Sequence, residues 1–255
     1  MTIAATERLP VLRVRPIDLP KAVIVVGDPD RAERIAASLD DTDELGRYRE
    51  YVSFRARVDG QTVGVVSHGV GAGGAGICFE ELCRGGVERV IRVGTAGGMQ
   101  SDVRDGDHVV VAGAVRDDGV TKGLVPIEFP ALASRHISAA LVAAAGERGV
   151  AVHEGIALTS AIMYPLNVLG SNLKMWQRAG ILAVEQECAS LFVIAALHGV
   201  QSGAILTIDG NPLAEDDTDM SGYDPHRTLV HEAVDRAAEI AVRVLTNNNV
   251  EGRTA

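Results

Sequence analysis

The run Ala22-Val23-Ile24-Val25-Val26 passes directly into Gly27-Asp28-Pro29-Asp30-Arg31. A short apolar run rich in β-branched residues suits a buried strand. Glycine, then aspartate-proline, ends that strand and opens a helix. From Arg31 to Leu39 the spacing puts Ile35, Ala36 and Leu39 on one helical face, with Arg31 and Arg34 off it. A strand that turns straight into a helix predicts an α/β fold.

The same alternation continues outward. Thr62 to Ser67 reads as a strand, followed by a glycine-rich turn and a helix through Phe79 and Leu82. Val87 to Val93 is a further strand that ends at Gly94-Thr95-Ala96-Gly97-Gly98, and His108 to Ala112 and Gly155 to Thr159 are two more. Leu191 to His198 predicts a helix and Gly203 to Ile208 a buried strand. In Leu229 to Leu245, Val230, Ala233, Val234, Ala237 and Ile240 share the inward face of a long amphipathic helix. The pattern implies one domain over residues 1–255 with a largely parallel central sheet, its ends (1–15 and 246–255) loosely held. In such folds a site forms beyond the strand C-terminal ends.

Composition narrows the function. A net charge of −10 over 255 residues excludes a general nucleic-acid or membrane-surface binder, but not a small anion held by local arginines. No apolar stretch reaches spanning length, and residues 1–10 lack a signal-peptide pattern. Cys78, Cys83 and Cys188 lie in apolar or helix-like contexts and read as reduced thiols, with no zinc spacing. The expectation is a cytoplasmic enzyme.

Charged groups inside apolar runs mark the chemistry. Glu185, Gln186 and Glu187 interrupt one such run, and Asp209 ends another before Gly210-Asn211-Pro212. Gly27 and Arg31 read equally as an anion cradle at a helix start or as a capped helix with a solvated arginine. Gly69-Val70-Gly71-Ala72-Gly73-Gly74 formally matches the dinucleotide fingerprint. That reading needs an acid at the end of the next strand, where this chain has Arg92 and Thr95, which suit phosphate. Arg92 lies in an apolar run and serves either an anion or a structural carboxylate. Arg49, in Arg47-Tyr48-Arg49-Glu50-Tyr51, reads from composition as a solvated edge. His68 ends a strand and reads as structural, with a place facing the site as the alternative.

In this order the pieces resemble the nucleoside phosphorylase family, the branch of uridine phosphorylases and hexameric purine nucleoside phosphorylases. The resemblance runs from about Ala22 to Leu245. It rests on Gly27 to Arg31, Arg49-Glu50-Tyr51, the Gly69 to Gly76 turn, Arg92 to Thr95, Glu128-Phe129-Pro130, Tyr164-Pro165, Glu185 to Glu187 and Asp209-Gly210. It implies a three-layer α/β/α fold with a mixed, partly barrel-like sheet. It also implies reversible cleavage of a nucleoside by inorganic phosphate, with no metal or organic cofactor. By position Gly27, Arg31, Arg92 and Thr95 form the phosphate site. Arg49 matches an arginine donated by a neighbouring subunit, which implies at least a dimer and commonly a hexamer of three dimers. Glu187 matches the carboxylate that accepts from the ribose 2′ and 3′ hydroxyls; Gln186 stands beside the sugar where the family has Met, and Glu185 is structural. Glu50 matches a residue near a monovalent cation in some relatives, but Gly74 replaces its usual Ser partner, so no ion is expected.

The base side departs from the uracil-binding pattern. Asn167 and Leu169 stand where uridine phosphorylases carry a Gln and an Arg, so the two-point grip on uracil is altered. Met163 replaces the aromatic against the base, with Val184 nearby. Asp209 stands where purine-cleaving relatives carry an acid, which must be protonated to donate to the leaving base. Thr95, by contrast, is the residue uridine phosphorylases favour. The family's histidine for the 5′-hydroxyl has no counterpart in Pro10-Val11-Leu12-Arg13. The resemblance therefore favours a purine ribonucleoside, with a uridine or 5′-methylthioadenosine phosphorylase as alternatives. A hydrolytic nucleosidase and a non-catalytic nucleoside binder remain as further readings. Residues 211–227, with Tyr223 and His226, are expected to form a lid.

Overall fold

A computed structural model describes residues 4–165, 168–213, 224 and 226–247. The apolar run forms strand β1 (Ala22–Val26), buried throughout. Helix α1 (Pro29–Ala37) follows, with the Asp28 carboxylate accepting from the Asp30 N–H as its N-cap. Next come β2 (Asp40–Tyr48), β3 (Tyr51–Val58), β4 (Gln61–Ser67), α2 (Ala72–Arg84) and β5 (Arg89–Gly98). They are followed by β6 (His108–Asp117), β7 (Ala131–Leu132), α3 (Arg135–Glu147) and β8 (Val152–Ser160). The chain then forms α4 (Leu173–Arg178), β9 (Ala183–Glu185), α5 (Cys188–His198), β10 (Gln201–Gly210) and α6 (Thr228–Thr246).

One sheet carries all these strands. Strands β10, β6, β8, β9 and β5 pair in sequence, and β5 pairs back to β10, closing a five-stranded barrel. From β5 the sheet continues as an open wing through β1, β4, β3 and β2. The two sides of β1 show why the fold has three layers. Ala22, Ile24 and Val26 face a core shared with α1, α3 and α6. Val23 and Val25 face the other core, which contains Phe79 and Leu82 of α2 and Leu191 and Phe192 of α5.

The three-layer, partly barrel-like fold agrees with the resemblance. The sheet is mixed, not largely parallel: β2–β3, β3–β4, β5–β9, β6–β7 and β6–β10 are antiparallel. Three of these pairs involve β2, β7 or β9, segments with weak patterns, while β6 and β10 are evident as strands but carry no local mark of their relative direction. Strand β2 is an exposed, charged edge with no buried residue, and β7 and β9 are too short to show a period. Residues 9–14 also differ from the loosely held terminus expected for 1–15. Leu9, Leu12 and Val14 are buried. The Glu81 carboxylate accepts from the N–H groups of Val11 (2.9 Å) and Leu12 (2.8 Å), so this turn is tied to α2. Most of 246–255 lies outside the described residues.

Candidate active site

Strands β1, β5 and β10 run parallel, and a cleft of about 1180 Å³ opens at their C-terminal ends. Gly27, Arg31, Arg92 and Thr95 line it, as do Met163, Val184, Gln186, Glu187 and Asp209. The structure thus gathers residues from five separate stretches of chain into one concavity.

Arg92 is the centre of the charge pattern and is buried. Its Nη2 lies 2.5 Å from Glu187 Oε2 and 3.3 Å from Glu185 Oε2. Nη1 lies 3.2 Å from His68 Nε2. Burial alone would lower the Arg92 pKa, but Glu187 and Glu185 hold it above its ordinary value. Arg31 is half-buried and makes no hydrogen bond or ion pair among the described residues. Burial and the charge of Arg92 lower its pKa, against an opposing pull from Asp28 and Asp209. Two desolvated cations that repel one another across a cleft favour an anion between them.

The surroundings of Glu187 are built on glycine. Gly71, with φ at 89°, precedes α2 and gives its N–H to Glu187 Oε1 at 2.5 Å. A φ in that range suits glycine, and it turns the amide toward the carboxylate. Burial and the charge of Glu185 raise the Glu187 pKa, while Arg92 and the Gly71 amide oppose the rise. Each Glu187 oxygen keeps acceptor capacity for a further donor. Glu185 is spent on structure: it accepts from Thr159 Oγ1 (2.6 Å) and from the N–H groups of Glu187 and Cys188 at the start of α5.

Asp209 owes its direction to a break in the ladder. Ile208 pairs with Ala96 and Gly210 with Gly97, leaving Asp209 as the extra residue of a β-bulge. Bulges of this kind re-aim a side chain at the end of a strand. Asp209 is buried at the mouth of the barrel. Arg227 braces this end: it donates to the Asp209 carbonyl (2.8 Å), to Asp105 (2.6 Å) and to the Asp224 carbonyl (3.0 Å).

Not every expected residue enters the cleft. Arg49 sits exposed on the β2–β3 turn, at φ 54°, over the Tyr48 ring at 5.3 Å. Asn167 and Tyr223 lie outside the described residues, as does most of the expected lid. His226 is exposed and lies beside His231. Leu169 lines the rim and is exposed. The residues that sequence reasoning did not place are Thr159, Arg227 and the contacts of His68. Nothing in their local patterns marks them, because their partners are distant in sequence. Among the described residues, no cluster of three or more His, Cys, Asp or Glu is placed to hold a metal ion. No helix among them is long and apolar enough to cross a membrane.

The match to known proteins spans nearly the whole chain. Residues 21–246 fit the family model described as the phosphorylase superfamily. The purine nucleoside phosphorylase of Plasmodium falciparum is 35% identical over 91% of this chain and 96% of its own. The uridine phosphorylase of Klebsiella aerogenes is 36% identical over 71% of this chain and 77% of its own. Among solved structures, the purine nucleoside phosphorylase of Toxoplasma gondii in complex with immucillin-H superposes with a TM-score of 0.90 at 32% identity, covering 95% of this chain and 97% of that one. With a barrel-centred sheet, an anion-favouring pair of arginines and this breadth of similarity, the chain belongs to the phosphorylase superfamily, in the branch that holds the purine nucleoside and uridine phosphorylases.

Proposed function

We propose that this nucleoside phosphorylase, a pentosyltransferase, acts on purine ribonucleosides, cleaving them with inorganic phosphate to a free base and ribose 1-phosphate. The observation that carries the reading is the bulge that places buried Asp209 in the same cleft as the two arginines. Gly27, Arg31, Arg92 and Thr95 hold phosphate, and Glu187 accepts from the ribose diol with Gln186 beside it. Phosphate oxygen attacks the anomeric carbon while the C–N bond breaks and its electron pair leaves with the base. Glu187 places negative charge near the sugar, where positive charge develops. Asp209 supplies the proton or hydrogen bond that the departing base requires, and Met163 and Val184 pack on the base. Neither step calls on a metal or an organic cofactor.

Exposed Arg49 completes the phosphate site of a neighbouring subunit in this reading, within a homohexamer built as three dimers. A cytoplasmic enzyme of nucleoside catabolism and nucleotide salvage fits this chemistry. Thr95 favours a second reading, uridine as substrate. Incubation with inosine, adenosine, uridine and methylthioadenosine, with and without phosphate, separates the two. Phosphate-dependent release of hypoxanthine or adenine is expected. Release from uridine alone defeats the purine assignment, and release that ignores phosphate defeats phosphorolysis.

A further inference from the structure

We propose that His68 is a positioning residue for phosphate: its Nε2 lone pair fixes the rotation of the Arg92 guanidinium so that one N–H stays directed at the anion. The imidazole is buried at the end of β4 and lies behind the cleft, not in its lining. Its Nδ1 lies 2.7 Å from the Gly69 carbonyl oxygen. A carbonyl only accepts, so Nδ1 carries the proton. An arginine only donates, so Nε2, 3.2 Å from Arg92 Nη1, carries the lone pair. Both neighbours therefore select one neutral tautomer. Burial pushes the His68 pKa well down, and the charges of Arg92 and Arg31 push in the same direction.

The ring is held on its other sides as well. Phe79 of α2 meets it edge-on with centroids 5.2 Å apart. A Cβ on Gly27 would stand 3.8 Å from its Cε1, so the ring backs the phosphate turn. The arginine's remaining bonds explain why this contact matters. Glu185 lies 3.3 Å from both Nε and Nη2, and Glu187 takes Nη2. Nη1 is then the nitrogen with a hydrogen to spare. With His68 holding one Nη1 hydrogen, the second is left for the cleft. Without that acceptor the guanidinium tilts toward its two carboxylates and turns from the anion.

The inference rests on the phosphorylase reading, because only a phosphate co-substrate needs that N–H. Phosphate binding is measured by calorimetry on the full chain, alongside steady-state kinetics in both substrates. His68→Phe keeps an aromatic ring, and His68→Asn keeps a donor near Nδ1; both lose the Nε2 acceptor. His68→Gln can set its Oε1 close to the Nε2 position. The Phe and Asn variants should bind phosphate about tenfold more weakly, as expected for one lost buried hydrogen bond to a charged group, with nucleoside KM nearly unchanged. The Gln variant should recover most of the affinity. Equal loss in Gln and Asn, or parallel rises in both KM values, would make the role one of packing and overturn the proposal. Unchanged phosphate affinity in Asn overturns it too. A wild-type protein that binds phosphate yet releases base without it refutes phosphorolysis while the calorimetric series still decides His68; a wild type that binds no phosphate refutes both.

Discussion

The Arg92 guanidinium lies flat over Gly94, where a Cβ would stand 2.7 Å from its Cζ and 2.8 Å from both terminal nitrogens. Such separations are closer than carbon and nitrogen tolerate, and the guanidinium is already held by three acceptors. Gly94→Ala should therefore displace the cation and lower phosphate-dependent kcat/KM by roughly 100-fold or more, the loss typical of one electrostatic contact in an active site. Turnover within threefold of wild type would show that Arg92 does not hold phosphate. His108 offers a separate residue-scale test through pH. It is buried at the start of β6, with no partner for Nε2 among the described residues, and burial followed by the charge of Arg236 lowers its pKa to about 4. The unfolded chain binds this proton more readily. Stability from His108 is therefore complete above the unfolded pKa of about 6.5 and is lost as pH falls toward 4, by roughly 3 kcal/mol. Urea titrations from pH 7 to pH 4 should show that loss, and His108→Asn should flatten it. At this scale much was legible beforehand. An arginine inside Val90-Ile91-Arg92-Val93 announces itself, since such a run rarely buries a charge without use. Its pairing with Glu185, Glu187 and His68 does not, because those acceptors come from two stretches distant in sequence.

At the scale of elements, two joints carry the site. One is the start of α5, where Glu185 accepts from two backbone N–H groups, from Thr159 and from Arg92 at once. Glu185→Ala leaves those donors and part of the Arg92 charge unpaired in a dry region. It should cost about 3–5 kcal/mol of stability, the range for breaking a buried ion pair. Equilibrium urea unfolding reads this directly, and a loss under about 1 kcal/mol would contradict the buried network described here. The other joint is the bulge at Asp209. A bulge leaves no signature in a run such as Gly203 to Ile208, whose burial is continuous, so the strand was legible and its irregular end was not. The reverse holds for β2. Its charges were visible, but no alternation betrayed a strand, because an edge exposed on both faces has no core side to mark.

At the scale of the whole molecule, the exposed arginine on the β2–β3 turn makes the assembly testable. Arg49→Ala and Arg92→Ala should each abolish most phosphate-dependent turnover alone. If Arg49 serves a neighbour, co-assembling the two variants rebuilds one intact site in each mixed pair, and random pairing returns roughly a quarter of wild-type activity. No recovery after denaturation and joint refolding would place Arg49 within its own subunit's function or outside function altogether. The α/β class and the site's position beyond the strand ends were readable from alternation alone, whereas barrel closure through the β5–β10 pairing was not. That closure joins segments about a hundred residues apart, and no local pattern records such a contact.

The barrel has one more consequence, for how such a protein changes over generations. Of the residues proposed to hold phosphate, Gly27 and Arg31 follow β1 of the open wing and Arg92 and Thr95 lie on β5, while Val184 and Asp209 come from β9 and β10, which flank the end of β5, and Met163 from the segment after β8. Inheritance can therefore rework one portion while leaving the other intact. A single-residue deletion that erased the bulge would re-aim position 209 without disturbing β1 or α1. New base preferences are thus a short mutational step away, whereas dependence on phosphate is a deep commitment of the architecture.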